Sequence, residues 1–220
     1  MTTIKLDIER NAHIGLLLVA TDRFVLVPDD LAEETREEIA KVLKVDPIPL
    51  RVSGTTLLGV FAAANSNGVI LPHIAREEEV QQLRDYGLNV LVVKDTVTAM
   101  GNLIAANDHG AIISEAISPK NVDKIVEFLA VKKHTQKNIA GTELTGASIA
   151  VTNRGFVAHP NTSDEELDVL EDVFGVEGTT STANYGDPFV RASIVANSYG
   201  IIVGERTSPV EILRIEDVLG

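Results

Sequence analysis

One phrase recurs five times along this chain. Around Asn65 it reads Ala-Asn-Ser-Asn-Gly-Val-Ile-Leu-Pro, and around Asn107 it reads Ala-Asn-Asp-His-Gly-Ala-Ile-Ile-Ser. Around Thr152 it reads Val-Thr-Asn-Arg-Gly-Phe-Val-Ala-His-Pro, and around Asn197 Ala-Asn-Ser-Tyr-Gly-Ile-Ile-Val-Gly. A degenerate first copy runs from Ala20 to Pro28, with Phe24 in the place of the glycine. The anchors Phe24, Gly68, Gly110, Gly155 and Gly200 lie 44, 42, 45 and 45 residues apart, and five such steps use up the 220 residues. A period of this length means one supersecondary unit copied in series, so architecture is constrained before any single residue is interpreted.

The second copy shows what the unit contains. Leu57 to Ala64 is an apolar run of strand length. Asn65-Ser-Asn-Gly68 is a turn, because Asn tolerates and Gly freely adopts left-handed backbone. Val69-Ile-Leu71 returns as a second strand, and Pro72, which has no N–H to donate, ends it. The segment from Ala75 to Arg84 starts acidic and carries Val80 and Leu83 three apart, which predicts an amphipathic helix with its acids at the positive end of the dipole. Asn89 to Val93 is the third strand. The same grammar predicts helices near 30–43, 76–86, 119–130, 163–174 and 208–219. Caps fall at Thr162 or Ser163 and at Thr207 or Ser208, the latter pair ahead of Pro209. Leu167, Leu170 and Phe174 form the apolar stripe of the fourth helix, and Ile212, Ile215 and Leu219 that of the fifth.

Glycine also stands nine residues before four of the anchors, at Gly15, Gly59, Gly101 and Gly146; Arg191 breaks the rule in the fifth copy. A further glycine lies fourteen before the anchor at Gly54, Gly141 and Gly186. Inside apolar runs such glycines imply a bend or a close backbone approach rather than chemistry. The last unit ends on its helix at Leu219-Gly220, whereas a spare strand, Thr3 to Ile8, precedes the first. An open stack needs polar terminal caps, and none is present. A ring in which the N-terminal strand completes unit five removes the exposed edges instead. The expectation is therefore an α/β chain folded as a five-bladed, pseudo-fivefold propeller, hairpins inside and helices on the rim. Its single domain spans residues 1–220, with repeats at about 10–54, 55–95, 96–140, 141–185 and 186–220 and a closing strand at 3–9.

Composition narrows function mainly by exclusion. Apolar residues make up 45% and aromatic ones only 4%, so the core must be aliphatic. The net charge is −13, shared evenly between the halves, with no Lys/Arg stripe to neutralise phosphates. Charge-driven nucleic-acid binding is not expected, while a basic protein partner is permitted. No apolar run reaches the length of a membrane span, and the N-terminus lacks a basic-then-apolar signal pattern, so no membrane contact and a cytoplasmic location are the simplest expectation. Cysteine is absent, which removes thiolate nucleophiles and Cys-based metal sites together. His13, His73, His109, His134 and His159 are isolated, with no metal-ligand spacing among them. Gly54-Thr-Thr-Leu-Leu-Gly59 lacks the lysine of a phosphate-binding loop, and no Gly-x-Ser-x-Gly elbow occurs. No catalytic residue, metal or cofactor is expected.

Several segments carry a resemblance over the whole length. They are Ser53-Gly-Thr-Thr-Leu-Leu-Gly59, Ala64 to Pro72, Ala99-Met-Gly-Asn-Leu-Ile104, Thr182-Ala-Asn-Tyr-Gly186, and Thr207-Ser-Pro-Val-Glu211 with Ile215 to Gly220. In this order and spacing the chain resembles the archaeal form of translation initiation factor 6, a family of ribosomal anti-association factors. The resemblance implies the pentein fold, a five-unit αβ propeller. It implies a monomer that binds the large ribosomal subunit on the face that would meet the small one. Contacts with basic ribosomal proteins, near the sarcin–ricin loop, are implied as well. It also implies release through a GTPase related to elongation factor 2 and an SBDS-type protein. The alternative comes from the same fold: other penteins are enzymes acting on guanidino compounds, but their central site uses a Cys nucleophile that this chain lacks.

Fivefold repetition places equivalent turn residues in a rosette around the axis, with Thr21, Asn65, Asn107, Thr152 and Asn197 at one level. The expectation for the ribosome-binding residues is Asn65, Asn107 and Asn197 on this rosette, with Asn102 and Asn184 in neighbouring loops. Side chains of this type also satisfy turn backbone, which is the competing structural role. The acidic runs Glu33 to Glu38 and Glu77 to Glu79 read as solvated helix faces. The copies disagree at Asn102, Asn184, Tyr185 and Arg191.

Overall fold

A computed structural model describes residues 1–220. The chain runs β1 (Thr2–Leu6), β2 (Val19–Ala20), β3 (Phe24–Pro28), α1 (Glu33–Leu43), β4 (Asp46–Leu50), α2 (Leu58–Phe61), β5 (Ala63–Asn65) and β6 (Gly68–Pro72). It continues with α3 (Glu77–Asp85), β7 (Val90–Val93), α4 (Met100–Leu103), β8 (Ile104–Ala106), β9 (Gly110–Ile113), α5 (Pro119–Leu129) and β10 (Lys133–Gln136). The remainder is β11 (Ile149–Val151), β12 (Phe156–Ala158), α6 (Asp164–Phe174), β13 (Gly178–Thr180), β14 (Ile194–Ala196), β15 (Gly200–Gly204) and α7 (Pro209–Leu219).

The fifteen strands form five separate three-stranded sheets. In each, a tight antiparallel hairpin supplies two strands and the third returns parallel after a long helix. In unit 2, Ala63 lies opposite Ile70 and Val69 beside Val90. Unit 5 borrows its third strand: β1 runs parallel to β15, with Thr2 beside Gly200 and Leu6 beside Gly204. The ring is therefore closed by the N-terminal strand, which leaves no unit without its third strand.

Each long helix is wedged between the sheet of its own unit and that of the unit before. Val80 and Leu83 of α3 pack with Phe24, Leu26 and Ile48 of unit 1 and with Val69 and Leu71 of unit 2. Ile39, Val42 and Leu43 of α1 pack with Val25 and Val27 of their own sheet and with Val195 and Ile202 of unit 5. Five aliphatic clusters arise in this way, one per helix. The seating of the helices also explains the anchor glycines. A Cβ on Gly110, Gly155 or Gly200 would overlap the carbonyl oxygen of Val173, Val218 or Val42, near the end of the next unit's helix. Helix α3 has nine residues where α1 has eleven. Unit 1 therefore has room for Phe24 where the other copies must keep glycine.

One expectation needs correcting. The run Leu57 to Ala64 is not a continuous strand: Leu58–Phe61 is a helical turn and the strand starts at Ala63. Met100–Leu103 is likewise a helical turn, so Asn102, expected in a loop, lies on that turn. These turns form a collar around the axis, buried on most sides, so they show neither alternation nor an amphipathic stripe to betray them. The glycines nine before the anchors belong here. A Cβ on Gly59 would strike the Gly15 carbonyl, one on Gly101 the Gly59 carbonyl, and one on Gly146 the Gly101 carbonyl.

Candidate functional site

The turn rosette lies at one end of the axis and is built from within. Asn107 Nδ2 donates to Thr152 O at 3.0 Å and to Phe174 O at 3.0 Å, reaching the next unit's turn and the end of that unit's helix. Its Oδ1 accepts the amides of His109 and Gly110, both at 2.9 Å. Asn65 does the same toward Asn107 O and Leu129 O, and Asn197 toward Thr21 O and Leu43 O. Each of these Asn amides thereby satisfies a carbonyl that a helix C-terminus leaves without an internal partner. Thr21 and Thr152 occupy the equivalent places, and their shorter hydroxyls bond only within their own turns, to Arg23 and Phe24 and to Arg154 and Gly155.

The consequence for the expected docking rosette is direct. Asn65, Asn107 and Asn197 are 2%, 5% and 1% exposed. Their amides are spent on joining units, so they offer a partner almost no surface. Asn184, 9% exposed, sits at the ring-closing joint instead, donating to Ala12 O and Ser193 Oγ at 2.7 Å each. The five residues are not brought into one patch.

At the centre of the rosette lies a network that the sequence reading missed. Asn153 Nδ2 donates to both Asp22 Oδ2, at 2.8 Å, and Asp108 Oδ2, at 2.6 Å. Asp22 also accepts the amide and hydroxyl of Ser198, and Asp108 those of Ser66. All five units are thus tied across the axis. The signal was the residue one step after each rosette position, which is Asp, Ser or Asn in every copy.

Asn102 stands on the opposite, collar end. Its backbone amide bonds Ala99 O and its carbonyl accepts from Ala147 N–H, but its side chain has no hydrogen-bond partner within the chain and is half-buried. The equivalent residues of the other units are Leu16, Val60, Ala147 and Ala192. Leu57 and Leu144, each 38% exposed, occupy equivalent positions of the two flanking units on the same end. Asn102 is thus a single free amide on an otherwise apolar level.

Between the two ends is an axial cavity of about 50 Å³, lined by aliphatic side chains and Arg191. The Arg191 guanidinium crosses from unit 5 to Gly59 O of unit 2 at 2.6 Å. Burial lowers its pKa to about 10, so it stays charged at neutral pH. No carboxylate, thiol or histidine lines this cavity, and no three His, Cys, Asp or Glu gather as metal ligands.

The loops leading into the collar are held by carboxylates, of which Glu79, Asp95 and Glu211 are buried. Glu79 accepts the amides of Ser53 and Gly54 at 2.7 and 2.8 Å while closing the capping box of α3 at Arg76. Glu166 plays this part for Ala140 and Ser163, and Glu211 for Tyr185, Gly186 and Ser208. Burial by itself raises the Glu211 pKa, yet donors from Ser208, Thr182 and Gly186 outweigh it and hold the group at about 2. In unit 3 the chemistry is exchanged: Asp95 supplies the carboxylate from the loop, and Asn121 and Ser118 supply donors from the helix. Burial pushes Asp95 up too, and these donors keep it well below the usual carboxylate range. The spacing of cap and Glu three residues on was the sequence signal for Glu166 and Glu211. Unit 5 alone inserts a residue, bridging Ala183 to Asp187 where the other such loops bridge residues three apart. Tyr185 is carried outward on that insertion in left-handed backbone.

The family model described as the eIF-6 family matches residues 3–218. The chain belongs to the eIF-6 family. Among curated members, the translation initiation factor 6 of Pyrococcus horikoshii is 40% identical over 150 residues, covering 66% of this chain and 66% of that factor. The factor of Nitrosopumilus maritimus is 35% identical over 147 residues, again covering 66% of each. The chain thus aligns with just under two thirds of the length of these relatives. Among solved structures, a DDAH of Pseudomonas aeruginosa in complex with citrulline aligns over 76% of this chain and 68% of its own. The TM-score is 0.47 and the identity 13%. The named relatives are translation initiation factors.

Proposed function

We propose that this protein binds the large ribosomal subunit on its joining face and prevents association with the small subunit by occupying that face. The observation that carries the reading is the eIF-6 family match across residues 3–218. A −13 net charge suits contact with basic ribosomal proteins, and the sarcin–ricin loop lies in the neighbourhood of such a site. The protein acts by steric occupancy as a cytoplasmic monomer and catalyses no reaction. Its release is assigned to an elongation-factor-2-like GTPase acting with an SBDS-type protein. No helix is long and apolar enough to cross a membrane, in keeping with a factor that works on ribosomes.

The docking face in this reading is the collar end. Its polar anchor is Asn102, set among apolar neighbours of which Leu57 and Leu144 are exposed. Asn65, Asn107, Asn184 and Asn197 serve the same function indirectly, by fixing the ring that presents the face. Sedimentation of purified large and small subunits with the protein tests the whole reading. Co-sedimentation with the large subunit and fewer joined particles are expected, and failure of both rejects the function. Asn102→Arg should weaken subunit binding by about tenfold, since a bulky cation replaces an interface amide, and leave the unfolding midpoint unchanged. Unaltered affinity removes Asn102 from the contact.

The guanidino-enzyme alternative has nothing in its favour here. The axial cavity contains an arginine of the protein's own and no nucleophile.

A further inference from the structure

The outer edges of the five sheets are not equivalent. In unit 2, Val69 N–H donates to Asn89 O and His73 N–H to Val93 O. In a parallel ladder this turns the peptide groups of Val90 and Val92 away from β6. The same register puts Pro47 and Pro49 of β4 at the equivalent positions, where they have no N–H to offer. In β13 the outward Gly178 amide is taken by Glu171 Oε1 at 3.4 Å. The outward residues of β10 are His134 and Gln136, and those of β1 are Thr3 and Lys5. Proline, charge and covering side chains are the usual ways of blunting a sheet edge. Strand β7, Val-Leu-Val-Val, has none of them, and Val92 is 41% exposed. Neither outward amide finds a partner elsewhere in the chain.

Charge is equally uneven at this spot. A hollow of about 340 Å³ beside β7 is lined by Val92, Lys94, Lys120, Asn121 and Lys124. None of the three lysines is in an ion pair, although acids outnumber bases 32 to 19 in the chain. Helix α5 has no acid in its first turn, unlike α1, α3, α6 and α7. The adjacent Asp95 is turned inward onto Ser118 and Asn121. An open edge that supplies backbone donors and acceptors therefore lies beside a concentration of positive charge.

We propose that β7 is a docking edge for an extended acidic segment of a partner protein. The segment adds to the sheet as a fourth strand, its backbone pairing with Val90 and Val92 and its carboxylates meeting Lys94, Lys120 and Lys124. The site lies on the outermost strand of unit 2, apart from the collar end that carries Asn102. It does not depend on ribosome binding.

The test uses the full chain and an end-blocked peptide of alternating aspartate and valine, titrated by calorimetry. Saturable binding is expected, with slowed hydrogen exchange at the amides of Val90 and Val92. The combined substitution Lys94→Glu, Lys120→Glu and Lys124→Glu should weaken it about tenfold. Val92→Pro, copying what β4 does at Pro49, should weaken it similarly. Should Val92→Pro unfold the protein, the same peptide N-methylated at alternate residues, offered to the unaltered chain, makes the equivalent test and should not bind. Absence of binding overturns the proposal. Equal affinity for the methylated peptide also overturns it. So does competition by an RNA oligonucleotide that Val92→Pro leaves unaffected, since the lysines would then be a general anion patch.

Discussion

At the scale of single residues, the recurring asparagines and the isolated one behave oppositely. Asn107 makes four hydrogen bonds in a buried setting, two of them to backbone carbonyls of the next unit. Asn107→Ala leaves Phe174 O and Thr152 O without these donors, so a loss of about 2 kcal/mol in unfolding free energy is expected. Chemical denaturation measures it, and a loss below about 0.5 kcal/mol would mean that water replaces the amide. The sequence marked Asn65, Asn107 and Asn197 by recurrence but could not tell a staple from a contact residue. Recurrence follows from the turn, whereas the partners of the Nδ2 belong to another unit, 42 to 176 residues away along the chain. Asn102 carries the converse signal, because it departs from the copies.

At the scale of elements, helix starts double as fasteners for the neighbouring loops. Glu211 closes its own capping box at Ser208 and also accepts two amides of the Tyr185–Gly186 loop and the Thr182 hydroxyl. Its folded-state pKa of about 2 lies below the ordinary 4.5. The stabilisation is therefore fully present above the unfolded value and is lost as pH falls from about 4.5 toward 2. Glu211→Gln should lower stability near neutral pH by about 2 kcal/mol and flatten the decline across that acid window. Thermal melts from pH 2 to 7 compare the two; parallel curves would show that the charge contributes nothing. The apolar stripes of α3, α6 and α7, the caps at Ser163 and Ser208 and the hairpin turns were readable from local spacing, whereas the starts of α1 and α3 at Ala32 and Arg76 carry no cap signal. The collar turns at Leu58–Phe61 and Met100–Leu103 were not, because a short apolar segment enclosed on most sides carries no periodicity.

At the scale of the whole molecule, closure is the decisive event. β1 supplies the fifth sheet with its third strand, and Asn184 fastens the same joint to Ala12. Removing residues 2–6 exposes the β15 edge and the apolar surface that Ile4 and Leu6 cover. A loss of about 5 kcal/mol is expected from those contacts and the ladder, with concentration-dependent oligomers forming through the bare edge. Sedimentation velocity reads the second effect, and a truncated chain that stays monomeric and equally stable would show that closure is dispensable. The Asp22–Asn153–Asp108 bridge belongs to this scale as well, since it exists only once units 1, 3 and 4 meet.

The sequence by itself determined the number of units, the order of strand, turn and helix within each, and the strand left over to close the ring. These follow from turn chemistry and hydrophobic spacing, which act over a few residues and are therefore written locally. Only the tertiary structure decided which polar side chains face outward. The Asn amides turned inward because the ends of neighbouring helices present carbonyls that need donors. Asn102 stayed free because its level of the collar is apolar, and β7 stayed open because nothing beside Val90 and Val92 covers them. Such outcomes depend on what the next unit brings alongside, and the pattern within one unit does not contain that information.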